Sequence, residues 1–373
     1  MNLPTASLSE ENRIDSLLKT AIAPQATQLD RDPQALKAAF RLLGEHQLLG
    51  LRAPREWGGQ DWEATAVYQF IEQSTRYSGA LAFLQIQHQR AVQEVAASNN
   101  QALKQAYLKQ ATSGQLGLGV GYSHLRRVKQ PISVTQTDGG YIFNGTVPWI
   151  TGFGIFDYWL LAAELPDGQA VFVLVPFVPS EQGNPGDDGV MIFDPPLALA
   201  AMGSTQTVTA TLQDYFVSET QLVDIKPPGW IHAYDRAHPF TYCFFTLGCA
   251  QAGLDILAQA RRSDIPAIAD TYAALNQEVQ QCRDQIYQML ANPVFADCLR
   301  LRAWSIDQAT RCAHAAVAAS RGAANYSDHP AQRVYRESLV FTVFGQNNDV
   351  MNATLESMTA RSRQVIASLG VKR

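Results

Sequence analysis

The spacing of apolar residues changes twice along this chain, and the order of those changes limits what it can fold into. From Glu10 to about Ser113, apolar residues recur every three or four positions, as in "IDSLLKTAIAPQATQLD" and "PQALKAAFRLLGEHQLLG". That is the period of one helical face. Near Gly114 the period drops to two. "ISVTQTDGGYIFNGTV" is a pair of alternating runs around Asp138-Gly139-Gly140, a hairpin signal. "YWLLAAEL", "AVFVLVPF", "GVMIFD" and "TVTATLQDYFV" read as further strands. Helical spacing returns after "KPPGW", in "FTYCFFTLGCAQAGLDILAQARR" and the long segments that follow it. Helices, then strands, then helices predict an α+β chain. The expected parts are an N-terminal helical domain over 1–114, a middle β-barrel or sandwich domain over 115–226 and a C-terminal helical bundle over 227–373. A length of 373 residues agrees with two or three compact units at roughly 150 residues each.

Composition narrows the function. The chain is 46% hydrophobic and carries 29 basic against 34 acidic residues, a net charge of −5. No basic block or aromatic–basic stripe marks a nucleic-acid binder. The five cysteines, Cys243, Cys249, Cys282, Cys298 and Cys312, form no CxxC pair and read as small apolar residues of a reduced protein. "IFDYWLLAAELPDGQAVFVLVPF" is interrupted by Asp157, Glu164, Pro166, Asp167 and Gly168, so it does not make a span of ~20 apolar residues. The N-terminus has no signal pattern. These features predict a cytoplasmic protein with no membrane and no nucleic-acid partner.

Most catalytic signatures are missing: no Walker A, HExxH, GxSxG or zinc spacing. "GQLGLGVG" follows a helix and enters a β segment, the wrong context for a dinucleotide turn. His88, His238 and His314 lie among helical residues and read first as structural. Two stretches remain. In "NGTVPWITGFG", Trp149 and Thr151 stand two apart on a strand, with Ile150 between them, and so point the same way. An indole and a hydroxyl so placed make either a buried core or a wall for a ring. In "VFGQNNDV", a glycine, three amides and an acid follow one another, which fits a helix end or a polar binding turn.

These motifs, in this order, resemble the acyl-CoA dehydrogenase superfamily. "NGTVPWITG" is similar to the family's "NGxKxWITN" strand. "APREWGGQDW", "QALKQAYLKQATSGQLG", "LALAAMGSTQTVTATLQDYFV", "GCAQAGLDILAQARR" and "QRVYRES" resemble further family segments along almost the whole length. The resemblance implies an acyl-CoA dehydrogenase-like fold ending in a four-helix bundle. FAD would lie between the β domain and the bundle, in a homodimer or homotetramer. Trp149, Ile150 and Thr151 would belong to the cofactor-binding strand, with Trp149 and Thr151 facing the flavin and Thr151 near its N5 edge. The activity implied is oxidation of a CH–CH bond in a small-molecule substrate such as an acyl-CoA, with electrons passed to an acceptor.

The family's "IYEGTSEIQ" aligns without a gap on Val343 to Val350. Gln346, Asn347 and Asp349 then take cofactor-binding positions. Gly345 takes the place of the catalytic Glu, and glycine has no group to accept a proton. Members that carry the Glu on the helix after the β domain align it with Ala237, His238 or Pro239 here. Asp235 and His238 are the remaining candidates for a base. If the family's geometry remains, Gly345→Glu is expected to restore the base. The "RxxFG" phosphate motif is reduced to Arg261 or Arg262, and "TEPxxGSD" to the loop of Tyr122, Ser123, His124 and Arg126. Two other readings stay open: a flavin-dependent monooxygenase, fed by a flavin reductase, and a non-catalytic binding homologue on the same fold.

Overall fold

The structure, a computed structural model, describes residues 8–179, 189–260 and 265–368. The helices that precede the strands are α1 (Leu8–Leu17), α2 (Ala26–Leu29), α3 (Pro33–Glu45), α4 (Ala64–Tyr77), α5 (Gly79–Ala97) and α6 (Gln101–Thr112). The strands are β1 (Leu118–Gly121), β2 (Ile132–Thr137), β3 (Gly140–Ile150), β4 (Tyr158–Glu164), β5 (Ala170–Pro176), β6 (Val190–Phe193), β7 (Val208–Ser218) and β8 (Leu222–Lys226). After them come α7 (Trp230–Ala237), α8 (Cys243–Ala260), α9 (Pro266–Met289), α10 (Phe295–Ser320), α11 (Pro330–Val343) and α12 (Asn348–Ser368).

Local chemistry explains many of the boundaries. Asp32 caps α3 by accepting from the amides of Gln34 and Ala35, with Pro33 at the first helical position, where its missing N–H costs nothing. Asn100 caps α6 through the Leu103 amide, and His329 caps α11 through Ala331 ahead of Pro330. The expected hairpin is present: Thr137 pairs with Gly140, and Gly139 sits at φ +72° in the two-residue turn.

Among the described residues the strands make two four-stranded sheets, β1-β4-β5-β8 and β2-β3-β7-β6. Only the β1–β4 pair is parallel. The pleat of β4 and β5 divides their side chains. Leu160, Ala162, Phe172 and Leu174 pack with Val92, Val95, Leu103 and Leu108 of α5 and α6. From the opposite face, Trp159 meets Phe177 and Phe193, the latter on the second sheet. With both faces covered, β5 is apolar throughout rather than alternating, and the middle segment is a sandwich with helices against one sheet.

Compactness groups the chain into two units: residues 1–67 with 80–234, and 68–79 with 235–373. The N-terminal helices and the sheets thus belong to one unit, a coarser division than the three segments read from periodicity. The second unit takes α8, α9, α10 and α11 as its bundle, with α12 along α10. It also takes the end of α4. There Tyr68 stacks on Phe244 at 4.3 Å, Arg283 pairs with Glu72, and Arg76 pairs with Asp255, both at 2.6 Å. Gly248 permits that approach, since a Cβ there would lie 2.4 Å from the Glu72 carbonyl oxygen. Helix α8 is long and apolar enough to cross a membrane, but about two-thirds of it is buried inside this unit, as expected of a core helix. All five cysteines are free and buried.

Two buried polar groups yield predictions. On α11 the Arg333 guanidinium donates to both oxygens of Glu337 at 2.7 and 2.8 Å, and Glu337 is fully buried. Glu337→Ala leaves a buried cation alone and should cost about 3–5 kcal/mol in urea unfolding, whereas replacing both residues by Met and Leu should be near neutral. In the first unit, His88 accepts from the Leu118 amide at Nδ1 and donates from Nε2 to the Ala111 carbonyl. Burial pushes its pKa down to about 4, and that of His124 likewise. Both imidazoles are therefore neutral in the fold. Their contribution to stability is complete above pH 6.5 and is lost as pH falls towards 4. Unfolding free energy should drop by roughly 2 kcal/mol per histidine between pH 7 and pH 5, and His88→Gln should flatten that slope.

Candidate active site

The first unit carries the aromatic–hydroxyl wall. Strand β3 ends at Ile150 after a register shift against β7, and Ile150 is fully buried. Trp149 is 47% exposed, while Thr151, just past the strand end, is only 6% exposed. The shared facing expected from an alternating strand is thus replaced by an exposed indole beside a tucked-in hydroxyl. Thr151 Oγ1 lies 3.0 Å from Thr207 Oγ1. The backbone continues the pairing: the Gly152 amide donates to the Thr205 carbonyl at 2.8 Å and Phe153 to Gln206 at 3.1 Å.

The turn opposite, Met202 to Gln206, is held under strain. Met202 and Gln206 both have positive φ, 59° and 49°, which non-glycine residues rarely adopt. Buried Asp30 at the end of α2 compensates. Its Oδ1 accepts from the Met202 amide at 2.6 Å, its carbonyl from the Ser204 amide, and Ser204 Oγ donates to the Leu29 carbonyl. The sequence marks Thr205, Thr207 and Asp30 by no motif other than the general strand resemblance.

Of the loop expected to approach a substrate, two members are committed inward. The Tyr122 hydroxyl accepts from Arg90 Nε at 3.0 Å, and buried His124 binds the Ala162 carbonyl at 2.9 Å. Ser123 is exposed and Arg126 half-buried. Arg90 also donates to the Tyr234 hydroxyl at 2.8 Å and pairs with Glu94, tying α5 to α7.

The second unit carries the polar turn. Gly345 has φ +62°, and a Cβ there would stand 2.2 Å from the Tyr242 ring. Tyr242 packs edge-on against Phe344 at 4.8 Å. Buried Arg302 donates to the carbonyls of Phe344 and Gly345, each at 2.9 Å, and its guanidinium lies 4.9 Å from the Tyr242 ring centre. The room needed for Gly345→Glu is therefore already filled, and the left-handed backbone opposes any side chain. Gly345→Glu alone would drive its side chain into the Tyr242 ring and so does not restore a base. Neither Tyr242 nor Arg302 was marked by the sequence motifs.

Asp235 ends up in the last turn of α7 and His238 just beyond it, in the connection that leads to Tyr242 on the Gly345 turn. Asn347 Oδ1 accepts from the Val350 amide at 3.0 Å and so caps α12. Gln346 is half-buried and Asp349 is exposed in the first turn of that helix. Arg262 and Arg261 lie outside the described residues. In the first unit an exposed indole and a threonine hydroxyl are in place for a flat ring. In the second, capping uses the Asn347 oxygen, so its amide nitrogen is the group that would donate to a phosphate.

Known proteins align with this arrangement. Residues 11–115 match the family "Acyl-CoA dehydrogenase, N-terminal domain". The mitochondrial isovaleryl-CoA dehydrogenase of Arabidopsis thaliana is 21% identical, over 92% of this chain and 88% of its own. Butyryl-CoA dehydrogenase from Megasphaera elsdenii shares the fold with a TM-score of 0.76 at 15% identity, covering 96% of this chain and 100% of that one. A glutaryl-coenzyme A dehydrogenase in complex with glutaryl-CoA does so with a TM-score of 0.77 at 18% identity, over 100% and 97%. Residues 11–115 thus match the acyl-CoA dehydrogenase N-terminal domain, and over nearly its whole length the chain is similar in sequence to acyl-CoA dehydrogenases and shares their fold.

Proposed function

We propose that the chain is an FAD-dependent oxidoreductase of the acyl-CoA dehydrogenase type, acting on a CH–CH bond of an acyl thioester or a similar small molecule. The observation that carries this reading is Trp149: a large indole, 47% exposed, at the end of a strand and two residues from the Thr151 hydroxyl. An aromatic face left open beside a hydrogen-bonding group suits a flat heteroaromatic ring. When bound, FAD supplies the acceptor for the two electrons that leave the substrate. Trp149 would cover the ring, Thr151 would hold its polar edge, and Arg302 keeps the Gly345 turn in shape through its two carbonyls.

Proton removal is where this chain departs from the pattern. With Tyr242 against Gly345, and with Ala237, His238 or Pro239 at the second family position, neither position presents a carboxylate. Asp235 and His238 are the groups left to take a proton. The same observation favours a second reading, a flavin-dependent monooxygenase, in which reduced flavin and oxygen do the chemistry and no such base is needed.

Protein reconstituted with FAD should be yellow, and anaerobic addition of short branched or straight acyl-CoA esters should bleach it. Bound flavin that no acyl-CoA bleaches, together with substrate-dependent oxygen uptake when a flavin reductase is supplied, would move the assignment to the monooxygenase. Failure to take up FAD at all would remove both.

We also propose a homodimer or homotetramer. Leu339 and Val343 on α11, and Met351, Leu355 and Met358 on α12, are exposed at helical spacing. Light scattering at micromolar concentration should give a mass of at least twice 41.0 kDa. Leu355→Glu with Met358→Glu should lower it, and a wild-type monomer would defeat the proposal.

A further inference from the structure

Three threonine hydroxyls form a buried chain behind Trp149. Thr205 Oγ1 donates to the Met202 carbonyl at 2.7 Å. Thr207 Oγ1 lies 3.4 Å from Thr205 and 3.0 Å from Thr151. Exposure rises along the chain, from 0% at Thr205 through 3% at Thr207 to 6% at Thr151, so Thr151 is its outer end. The inner end is fixed. The only proton of Thr205 is committed to a carbonyl, which leaves its oxygen free to accept. The turn that carries it has two left-handed non-glycine residues, held in place by buried Asp30. Backbone strain of this kind persists where the surroundings impose it, and it gathers at ligand sites.

We propose that this chain is a hydrogen-bond sink that lets Thr151 accept a bond from the reduced flavin ring, and that it thereby raises the flavin's reduction potential. The inference rests on the flavin reading above. An oxidised ring nitrogen at the flavin edge accepts a hydrogen bond. On taking up two electrons and a proton it becomes an N–H and donates one.

A hydroxyl that accepts must still place its own proton, because a buried donor left unmade is penalised. Here Thr151 gives its proton to Thr207, Thr207 gives its own to Thr205, and Thr205 gives its own to the Met202 carbonyl. Every donor is satisfied. With the oxidised ring, Thr151 donates outward and Thr207 turns its proton to Thr151, so that again every donor is used. Removing the Thr207 hydroxyl therefore leaves the oxidised state served and strands the Thr151 proton in the reduced state alone.

The test is the potential of FAD bound to the full-length protein, measured by dithionite titration against an indicator dye. Thr207→Val should lower the reduced-to-oxidised ratio about tenfold at a fixed potential, a shift of about 30 mV for a two-electron couple. Thr207→Ser, which keeps the hydroxyl, should match the wild type. Thr205→Val should move the potential in the same direction by less. Flavin bound to folded Thr207→Val at an unchanged potential overturns the chain and leaves the flavin reading standing. A wild type that takes up no FAD overturns both. Should Thr207→Val fail to fold, Thr205→Val decides the matter, and a potential no lower than that of Thr207→Ser refutes the sink.

Discussion

A buried charge gripping the backbone of a left-handed turn occurs in both units, and the candidate binding element of each depends on it. In the first, the Asp30 carboxylate accepts from the amide of Met202, at φ +59°. In the second, the Arg302 guanidinium donates to the carbonyls around Gly345, at φ +62°. Each charge is desolvated and would be costly if unpaired. Each backbone turn is of a kind the chain rarely adopts without support. The two costs offset each other because the charge and the strained segment are satisfied by the same hydrogen bonds.

The consequence is that the candidate element of each unit is made of backbone as much as of side chains. Asp30 reaches the wall through the Met202 amide, and the turn it holds presents Thr205 to the strand end through main-chain bonds to Gly152. Arg302 shapes the polar turn while offering no carboxylate there. At Gly345, the position that the resemblance aligns with a carboxylate, the Tyr242 ring fills the space that a side chain would need. A glutamate at that position would therefore require two residues to change, not one.

The fold was legible because it is written in periods that tertiary packing did not override. The helix–strand–helix order, the Asp138-Gly139 hairpin and the strand runs all appear in the structure, since each rests on a local rule of backbone geometry. The site was legible only in part. Trp149 and Thr151 stand out as a motif, but their unequal exposure follows from a register shift that no alternation pattern reveals. Tyr242, Arg302, Thr207 and Asp30 matter through partners distant in sequence, and neither composition nor spacing marks such pairs. Asn347 illustrates the opposite case. The bland expectation for an amide before a helix, a cap, is what the geometry displays.

The end of α4 imposes an order on synthesis. Residues 68–79 belong to the same compact unit as residues 235–373, so that unit is not contiguous in the chain. On the ribosome, Tyr68, Glu72 and Arg76 emerge long before Phe244, Arg283 and Asp255 exist to receive them. At 5–20 residues per second the wait is on the order of ten seconds or more. During it, an amphipathic half-helix has no partner, and closing so long a loop carries an entropic cost that local helices do not bear. Completion of this unit thus waits on where most of one helix was placed in the sequence, and a nascent chain stalled before α8 would hold that apolar face without its partner.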